Sequence, residues 1–260
     1  MDVLTPRTLD EALRLQAESP RAVPIQGGTD MMVELNFDRA RPPALLNLNE
    51  VEELRGWART NGGLWLGAGL TYTEAMEEPL AEALPALAEA ARTVGGPQIR
   101  NRGTIGGNLG TASPAGDALP PLLVCDAEVK VASVRGERTI PLDEFLVGPK
   151  RNALADDELI LGVSVAAEPA AQTFMKVGPR NAMVISVVSL ALRVDGELAA
   201  AFGSAGPVPG VVRAPLEAAA SFPEQVAAAA SPIDDVRGTA AYRRHALRVL
   251  TKRALERCLA

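Results

Sequence analysis

The stretch TIGGNLGTASPAGD (104–117) holds four glycines, one Asn and one Asp, and it contains no Lys, Arg or His. Glycine lets the backbone turn sharply and lets a ligand approach it closely, because no Cβ stands in the way. Hydroxyl, amide and carboxylate groups can hydrogen-bond a polar ligand, yet nothing in this stretch pairs a nucleophile with a base. The composition therefore indicates a segment that holds a ligand and does not attack a substrate.

A second glycine-rich segment, IQGGTD (25–30), begins where the short apolar run AVPI ends. Glycine-rich turns after strands can direct successive backbone N–H groups at one point, which makes a concave site for phosphate oxygens. Two such turns predict a diphosphate ligand. An ordinary turn is the competing interpretation for each Gly-Gly pair taken alone.

Neither segment matches the common nucleotide-binding fingerprints. GGTDMM (27–32) and GAGLTY (67–72) both lack the third glycine of G-x-G-x-x-G, and the sequence contains no G-x-x-x-x-G-K-[ST]. A Rossmann domain and a P-loop are therefore disfavoured. Asn108 and Asp117 suit the hydroxyl groups of a ribityl or ribose chain. Alternatively, Asp117 belongs to the start of a helix that Ser113 caps and Pro114 begins.

The overall composition excludes several classes of function. The 260 residues are 47% hydrophobic, carry a net charge of −6 and are only 3% aromatic, so a sizeable core is expected and nucleic-acid binding is not. The first residues lack a secretory leader pattern, and no apolar run approaches the length of a membrane span. We therefore expect a cytoplasmic protein without a membrane span.

Cysteine and histidine are scarce. Cys125 and Cys258 are too few for an iron–sulfur cluster or a Cys-rich zinc site, so no metal site is predicted. Cys125 lies in an apolar run and is expected to be buried, whereas His245, the single histidine, is expected on the exposed face of a helix. A serine or cysteine hydrolase is disfavoured, and we assign no catalytic residue.

Hydrophobic patterning predicts both strands and helices. Thr8 and Glu11 form a capping-box pattern at the start of a helix, and Asp195-Gly196 predicts a hairpin turn. The run PPLLVCDAEVKVAS (120–133) is interpreted as strand because it is apolar and β-branched. The small residues and proline of AAEPAAQ (166–172) predict a junction between two domains.

Several of these stretches together resemble the FAD-binding medium subunit of the xanthine dehydrogenase and carbon monoxide dehydrogenase family, the molybdenum hydroxylases. The resemblance extends over nearly the whole chain and rests on segments that occur in the family's order: QGGTD (26–30), GGPQIRNRGTIGGNLGTASPAGDALPPLLVCDAEV (95–129), PLDEFLVGP (141–149), KVGPRNAMVISVVS (176–189) and DVRGTAAYRRHALRVLTKRAL (235–255).

This resemblance implies an α+β protein with two domains. Residues 1–167 would form an FAD-binding domain of the p-cresol methylhydroxylase and vanillyl-alcohol oxidase type, made of two α/β subdomains over about 1–55 and 56–167. Residues 168–260 would form a smaller α+β domain of the carbon monoxide dehydrogenase flavoprotein type.

The resemblance also assigns residues to FAD. The first glycine segment would hold the diphosphate and the second would form the opposite wall. Ile99 and Gly103 would line the adenine and ribityl region, Asp117 would bind hydroxyls, and Ile160 and Lys176 would lie near the isoalloxazine ring. The implied cofactor-binding residues are Ile25, Gln26, Gly27, Gly28, Thr29, Asp30, Met31, Ile99, Gly103, Thr104, Gly106, Gly107, Asn108, Asp117, Ile160 and Lys176.

As a member of this family, the chain would pass electrons from [2Fe-2S] clusters through FAD to NAD, a quinone or oxygen. Its implied partners are a [2Fe-2S] small subunit and a molybdopterin large subunit, in a heterotrimer or its dimer. Two alternatives stay open: a self-sufficient flavin oxidase that acts on a small alcohol or phenol, and a nucleotide-binding regulatory module. Arg100 and Arg102 face either a partner, the cofactor or solvent.

Overall fold

The computed structural model describes residues 1–166 and 170–260, and it shows a mixed α/β fold. The predicted boundary between residues 167 and 168 lies outside the described residues. The strands are β1 (Asp2–Leu4), β2 (Val23–Ile25), β3 (Ala44–Asn47), β4 (Trp57–Thr60), β5 (Gly63–Gly67), β6 (Glu128–Ser133), β7 (Gly136–Pro141), β8 (Leu146–Gly148), β9 (Arg151–Asn152), β10 (Leu159–Val165), β11 (Ala171–Val177), β12 (Val188–Val194), β13 (Glu197–Gly203) and β14 (Gly210–Pro215).

The helices connect these strands and cover the sheets. They are α1 (Leu9–Glu18), α2 (Met31–Asn36), α3 (Leu80–Ala83), α4 (Pro85–Thr93), α5 (Pro97–Arg100), α6 (Ile105–Thr111), α7 (Leu119–Val124), α8 (Leu142–Phe145), α9 (Phe222–Ala229) and α10 (Ala240–Cys258). Short 3₁₀ turns occur at Leu48–Glu50, Glu52–Leu54, Glu74–Met76 and Leu216–Ala218.

The first sheet is parallel and small, with the strand order β1-β3-β2. Consecutive strands that run parallel in one sheet need crossover connections, which α1 supplies between β1 and β2, and α2 supplies between β2 and β3. The predicted cap of α1 is confirmed, because Thr8 Oγ1 accepts a hydrogen bond from the backbone N–H of Glu11 at 3.2 Å. The chain leaves the carboxyl end of β2 through the first glycine segment.

The second sheet is antiparallel, in the order β4-β5-β10-β6-β7, and the third is antiparallel in the order β11-β12-β13-β14. Helices α4 and α7 pack against strands of the third sheet, and their apolar residues share one buried core with the second sheet. On its other face the third sheet packs against α9 and α10. The predicted hairpin is confirmed, since β12 and β13 pair around a turn in which Gly196 has a φ of +65°.

Two predictions of secondary structure are wrong. Leu119–Val124 is helical and only Glu128–Ser133 of the predicted strand is extended. Pro120 and Pro121 lie in the first turn of that helix, where proline is tolerated because the first N–H groups of a helix have no intrahelical partner. The alternative helix start at Ser113 and Pro114 is also not observed, because α7 begins at Leu119, beyond Asp117.

Candidate functional site

A cleft of about 540 Å³ lies between the first glycine segment and α6. It brings together most of the residues that the sequence assigns to a cofactor. Those on its walls are Ile25, Gln26, Gly27, Gly28, Thr29, Asp30, Met31, Gly103, Thr104, Gly106, Gly107, Asn108 and Ile160. Ile99, Asp117 and Lys176 are not part of the cleft wall.

The first glycine segment presents free backbone donors. Within residues 1–166 and 170–260, the N–H groups of Gly27, Gly28, Thr29, Asp30 and Met31 donate no hydrogen bond. Gly28 adopts a φ of +73°, which glycine tolerates far better than other residues. A run of unpaired amides on the wall of a cleft is suited to an anion, above all to phosphate oxygens.

The second glycine segment is a helix, and its amides are already satisfied. Ile105 N–H donates to the Leu70 carbonyl at 2.9 Å, and Gly106 N–H donates to the Ala68 carbonyl at 2.8 Å. Gly107 N–H donates to Thr104 Oγ1 at 3.0 Å. Only the first segment therefore has the free amides expected of both. In the second segment, the first amides of α6 already donate to the Leu70 and Ala68 carbonyls and to Thr104 Oγ1.

The glycines of α6 still serve the cleft through their lack of a side chain. A Cβ at Gly106 would lie 2.6 Å from the Ala68 Cβ, so this glycine allows the helix to pack on the protein. A Cβ at Gly107 would meet only Thr104 Oγ1, at 3.1 Å. Gly107 is exposed and lines the cleft, so it keeps the wall flat where a ligand approaches.

Asn108 carries an unsatisfied polar atom on the same wall. Its Oδ1 is buried and has no hydrogen-bond partner among the described residues. A buried polar group without a partner is costly, and native structures generally satisfy such groups with protein, water or a ligand. The cleft therefore combines free backbone donors with a flat glycine surface, and Asn108, which lines it, has a buried amide oxygen without a partner. These features fit a dinucleotide cofactor.

Asp117 and Lys176 contact each other. Lys176 Nζ lies 2.5 Å from Asp117 Oδ2, and it also lies 3.4 Å from the Thr93 carbonyl. Burial raises the pKa of Asp117 above its ordinary value, although the charge and hydrogen bond of Lys176 oppose the rise. The second carboxylate oxygen of Asp117 is buried without a partner.

Ile99 lies in α5, behind the cleft wall. Its carbonyl accepts a hydrogen bond from Gly103 N–H at 2.6 Å, and its side chain is 40% exposed. A Cβ at Gly95 would lie 2.8 Å from the Ile99 Cβ, so Ile99 packs against the turn that ends α4. Its contacts support the segment that carries Gly103 and do not reach the cleft.

The cleft also includes residues that the sequence did not assign. Tyr72 is buried and lines the cleft; burial, and then the charges of Asp117 and Asp30, raise its pKa above the ordinary value. In the sequence, the position of Tyr72 after a strand and the turn GAGL is the feature that could have indicated its place in the cleft. Lys150 Nζ and Glu34 Oε1 form an ion pair of 3.1 Å at the cleft. Because the two residues are far apart in the sequence, no local pattern predicts this pair.

The described residues offer no metal site. None of their His, Cys, Asp and Glu side chains form a group of three or more that could hold a metal ion. The expected positions of Cys125, which is buried, and of His245, which is exposed on α10, are confirmed. In the ranges 1–166 and 170–260, every helix is too short or too polar to cross a membrane.

Comparison with known proteins identifies this architecture. Residues 1–167 match the family described as the FAD binding domain in molybdopterin dehydrogenase. A xanthine dehydrogenase FAD-binding subunit of Escherichia coli is 31% identical over 97% of this chain and 94% of its own length. A nicotinate dehydrogenase FAD-subunit of Eubacterium barkeri is 37% identical over 75% of this chain and 69% of its own length.

A solved structure shows the same fold over the full chain. The match is carbon monoxide dehydrogenase from Hydrogenophaga pseudoflava, in a form that lacks the Mo-pyranopterin moiety of the molybdenum cofactor. The TM-score is 0.91 at 25% identity, and the alignment covers 100% of this chain and 97% of the other. The mixed α/β fold of this chain is therefore similar to that structure over its whole length.

Proposed function

The chain belongs to the family of FAD-binding domains in molybdopterin dehydrogenases, and from that premise we propose that it is the electron-transfer subunit of a molybdenum hydroxylase complex. It is an oxidoreductase component, and its cofactor is FAD. Its proposed partners are a [2Fe-2S] small subunit and a molybdopterin large subunit, in a heterotrimer or its dimer. The names of the relatives, which call them FAD-binding subunits, support a multi-chain assembly.

The observation that carries the proposal is the run of free amides at Gly27, Gly28, Thr29, Asp30 and Met31 on the cleft wall. These groups would hold the FAD diphosphate without any basic side chain. Asn108 would hydrogen-bond the cofactor through its unpartnered Oδ1, and Gly107 would let the cofactor lie against α6. Ile160, which packs beside α6, would contribute an apolar surface to the cleft.

Asp117 and Lys176 would act at the flavin end of the cofactor. The carboxylate of Asp117 contributes to the raised pKa of Tyr72, which lines the cleft, and this supports a position for the ion pair near the cleft. The unpartnered oxygen of Asp117 would accept a hydrogen bond from a cofactor hydroxyl. The ammonium of Lys176 would place a positive charge beside the reducible ring.

When bound, FAD supplies the step from one-electron carriers to a two-electron acceptor, which we propose to be NAD, a quinone or oxygen. The residues of this chain bind and orient the cofactor and exclude water from its diphosphate. Asp117 and Lys176 would lie beside it as a buried, hydrogen-bonded pair. We assign no residue of the chain to proton transfer with an organic substrate.

For the domain organisation, we propose the arrangement implied by the resemblance: an FAD-binding domain of the p-cresol methylhydroxylase type over 1–167, with subdomains over about 1–55 and 56–167, followed by a second domain over 168–260. The sheets support it. The parallel sheet uses only β1 to β3, the second sheet uses β4 to β7 and β10, and the third begins at β11.

The experiment uses the purified chain and the intact complex. We expect the chain to release FAD, identified by chromatography, when it is precipitated with acid. In the complex, removal of FAD from this chain should abolish electron delivery to the external acceptor but spare hydroxylation supported by an artificial acceptor that takes electrons from the clusters. Anaerobic reduction of the isolated holo-chain by small alcohols or phenols would contradict the proposal and support a self-sufficient oxidase.

A further inference from the structure

Arg102 lies behind the first glycine segment, on the side away from the cleft. It lines a second, polar cavity of about 360 Å³ together with Gln26, Asn49 and Arg55. Gln26 lines both this cavity and the cofactor cleft. The backbone at Gln26 and Gly27 is therefore a thin wall, with the cleft on one side and Arg102 on the other.

Arg102 holds this wall with both its side chain and its main chain. Its Nη2 donates hydrogen bonds to the Gln26 carbonyl at 3.1 Å and to Asn49 Oδ1 at 2.9 Å. Its own carbonyl lies against Gly27, because a Cβ at Gly27 would be only 2.0 Å from that oxygen. Arg102 thus joins the first glycine segment to the 3₁₀ turn after β3.

The hydrogen bond between Arg102 and the Gln26 carbonyl fixes the direction of the Gly27 N–H through the geometry of the peptide bond. The bond between Gln26 and Gly27 is trans, so its carbonyl and its N–H point in opposite directions. Because Arg102 binds the Gln26 carbonyl from the second cavity, the N–H of Gly27 is directed to the other side. Gly27 lines the cleft, and its N–H donates no hydrogen bond within the described part of the chain.

We propose that Arg102 is a positioning residue for the cofactor diphosphate: by holding the Gln26 carbonyl, it aims the first free amide of the glycine segment into the cleft. This inference rests on the proposed function. An arginine suits the task because the two N–H bonds of Nη2, which donate to these two acceptors, are fixed in the plane of the guanidinium group. Lysine has three donors on a rotatable ammonium group, so it would keep the charge without fixing the direction of both hydrogen bonds.

A purely structural clamp is the competing explanation, and it makes a different prediction. A clamp would affect the stability of the chain with or without a ligand. A positioning residue would affect the affinity for ligands that contain a diphosphate, and it would alter the signal of the Gly27 amide. The two effects can be measured separately on the same variants.

The test compares Arg102→Gln with Arg55→Gln in the full chain after FAD has been removed. Arg55 lines the same cavity, but it pairs with Glu52 at 3.7 Å and donates to the backbone carbonyl of Asn49, and it donates no hydrogen bond to Gln26 within the described part of the chain. Titration with FAD and with ADP, which keeps the diphosphate and lacks the flavin, gives the dissociation constants. Urea unfolding of each cofactor-free variant gives the stability.

We expect Arg102→Gln to raise the dissociation constants for FAD and ADP about tenfold or more, as loss of one charge-assisted hydrogen bond implies. Arg55→Gln should leave both constants unchanged. Arg102→Lys should recover only part of the affinity. Asn49→Ala, which removes the other acceptor of the guanidinium, should weaken both ligands in the same direction and serves as the test if Arg102→Gln does not fold.

Unchanged affinity in Arg102→Gln, an equal loss in Arg55→Gln, or a loss of stability without a loss of affinity would overturn the inference. Failure of the unmodified chain to bind FAD and ADP would instead contradict the proposed function. A Gly27 amide signal that responds to ADP in the unmodified chain and not in Arg102→Gln is the result specific to positioning.

Discussion

Lys176 Nζ and Asp117 Oδ2 lie 2.5 Å apart inside the protein, where the two side chains are 6% and 9% exposed. They are 59 residues apart in the sequence, and their contact joins the segment between α6 and α7 to strand β11. A buried ion pair has a large desolvation cost and is weak evidence for stability by itself. The pair is therefore a target for variants that separate its structural effect from its proposed role toward FAD.

The first prediction concerns this pair. Lys176→Met should destabilise the cofactor-free chain by about 3–5 kcal/mol at neutral pH, because it leaves the buried carboxylate unpaired. The double variant Lys176→Met with Asp117→Asn should recover most of that loss, since no buried charge remains. Urea unfolding of the single and double variants measures the coupling, and additive effects would show that the pair is not coupled.

The same pair predicts a pH dependence. The folded-state pKa of Asp117 is raised by burial, and removal of Lys176 would raise it further. A carboxyl group with a raised folded-state pKa stabilises the fold at low pH and loses that contribution as the pH rises through the raised value. The destabilisation by Lys176→Met should therefore be smaller near pH 4 than near pH 7. A cost that is equal at both values would contradict this prediction.

The second prediction concerns Asn108. Its Oδ1 has no partner in the described residues, so Asn108→Leu should leave the stability of the cofactor-free chain nearly unchanged. The same change should weaken FAD binding by about 1–3 kcal/mol, because a hydrogen bond to the buried cofactor is lost. Asn61→Ala, at an exposed turn, is the control. Full FAD affinity in Asn108→Leu would remove this residue from the site.

The third prediction uses the empty space beside Gly107. Gly107→Val should fold, because a Cβ there meets only Thr104 Oγ1 at 3.1 Å, yet its methyl groups would occupy the cleft. We expect loss of bound FAD with retained far-UV circular dichroism. Gly62→Val, where a Cβ has no neighbour within 4 Å, should keep its FAD. Equal cofactor content in the two variants would show that the cofactor does not lie against α6.

The fourth prediction concerns Glu158, which is buried on the cleft wall. Arg138 donates to both carboxylate oxygens at 2.7 Å, and this contact holds the pKa of Glu158 below its ordinary value, against the effect of burial. A lowered folded-state pKa contributes stability above the unfolded-state pKa, and that stability is lost as the pH falls.

Glu158→Gln should therefore destabilise the chain by about 1–3 kcal/mol at pH 7, and the difference should shrink as the pH falls below about 4. Thermal unfolding of both proteins across this range measures it, with the exposed Glu144→Gln as the control. A difference that stays constant with pH would mean that ionisation of Glu158 does not contribute.

The parts of the fold with local signals could be predicted from the sequence. The cap of α1 at Thr8 and the turn of the β12–β13 hairpin at Gly196 could be predicted, because both depend only on residues nearby in the chain. The helix at Leu119–Val124 was predicted as strand, because a short apolar run has no period that distinguishes the two structures. The family, and with it FAD, could be identified because the glycine segments occur in the family's order.

The sequence could not predict which backbone amides of the two glycine segments are free and which already donate a hydrogen bond. Ile105 and Gly106 donate to Leu70 and Ala68, which lie more than thirty residues earlier in the chain, so the sequence of TIGGN alone does not reveal that these donors are occupied. The pairing of Asp117 with Lys176 likewise depends on how the third sheet packs against the rest of the protein. The assigned roles of these residues toward FAD stay predictions.

The most direct test of the central claim is the response of individual backbone amides to FAD, measured by NMR and by hydrogen exchange on the isotopically labelled chain. If the first glycine segment holds the diphosphate, FAD should cause large shifts and slowed exchange at Gly27, Gly28, Thr29, Asp30 and Met31. It should change little the exchange of Ile105 and Gly106, which are already hydrogen-bonded. Bound FAD with unchanged exchange at Gly27 to Met31 would contradict the account, because the diphosphate would then be held elsewhere.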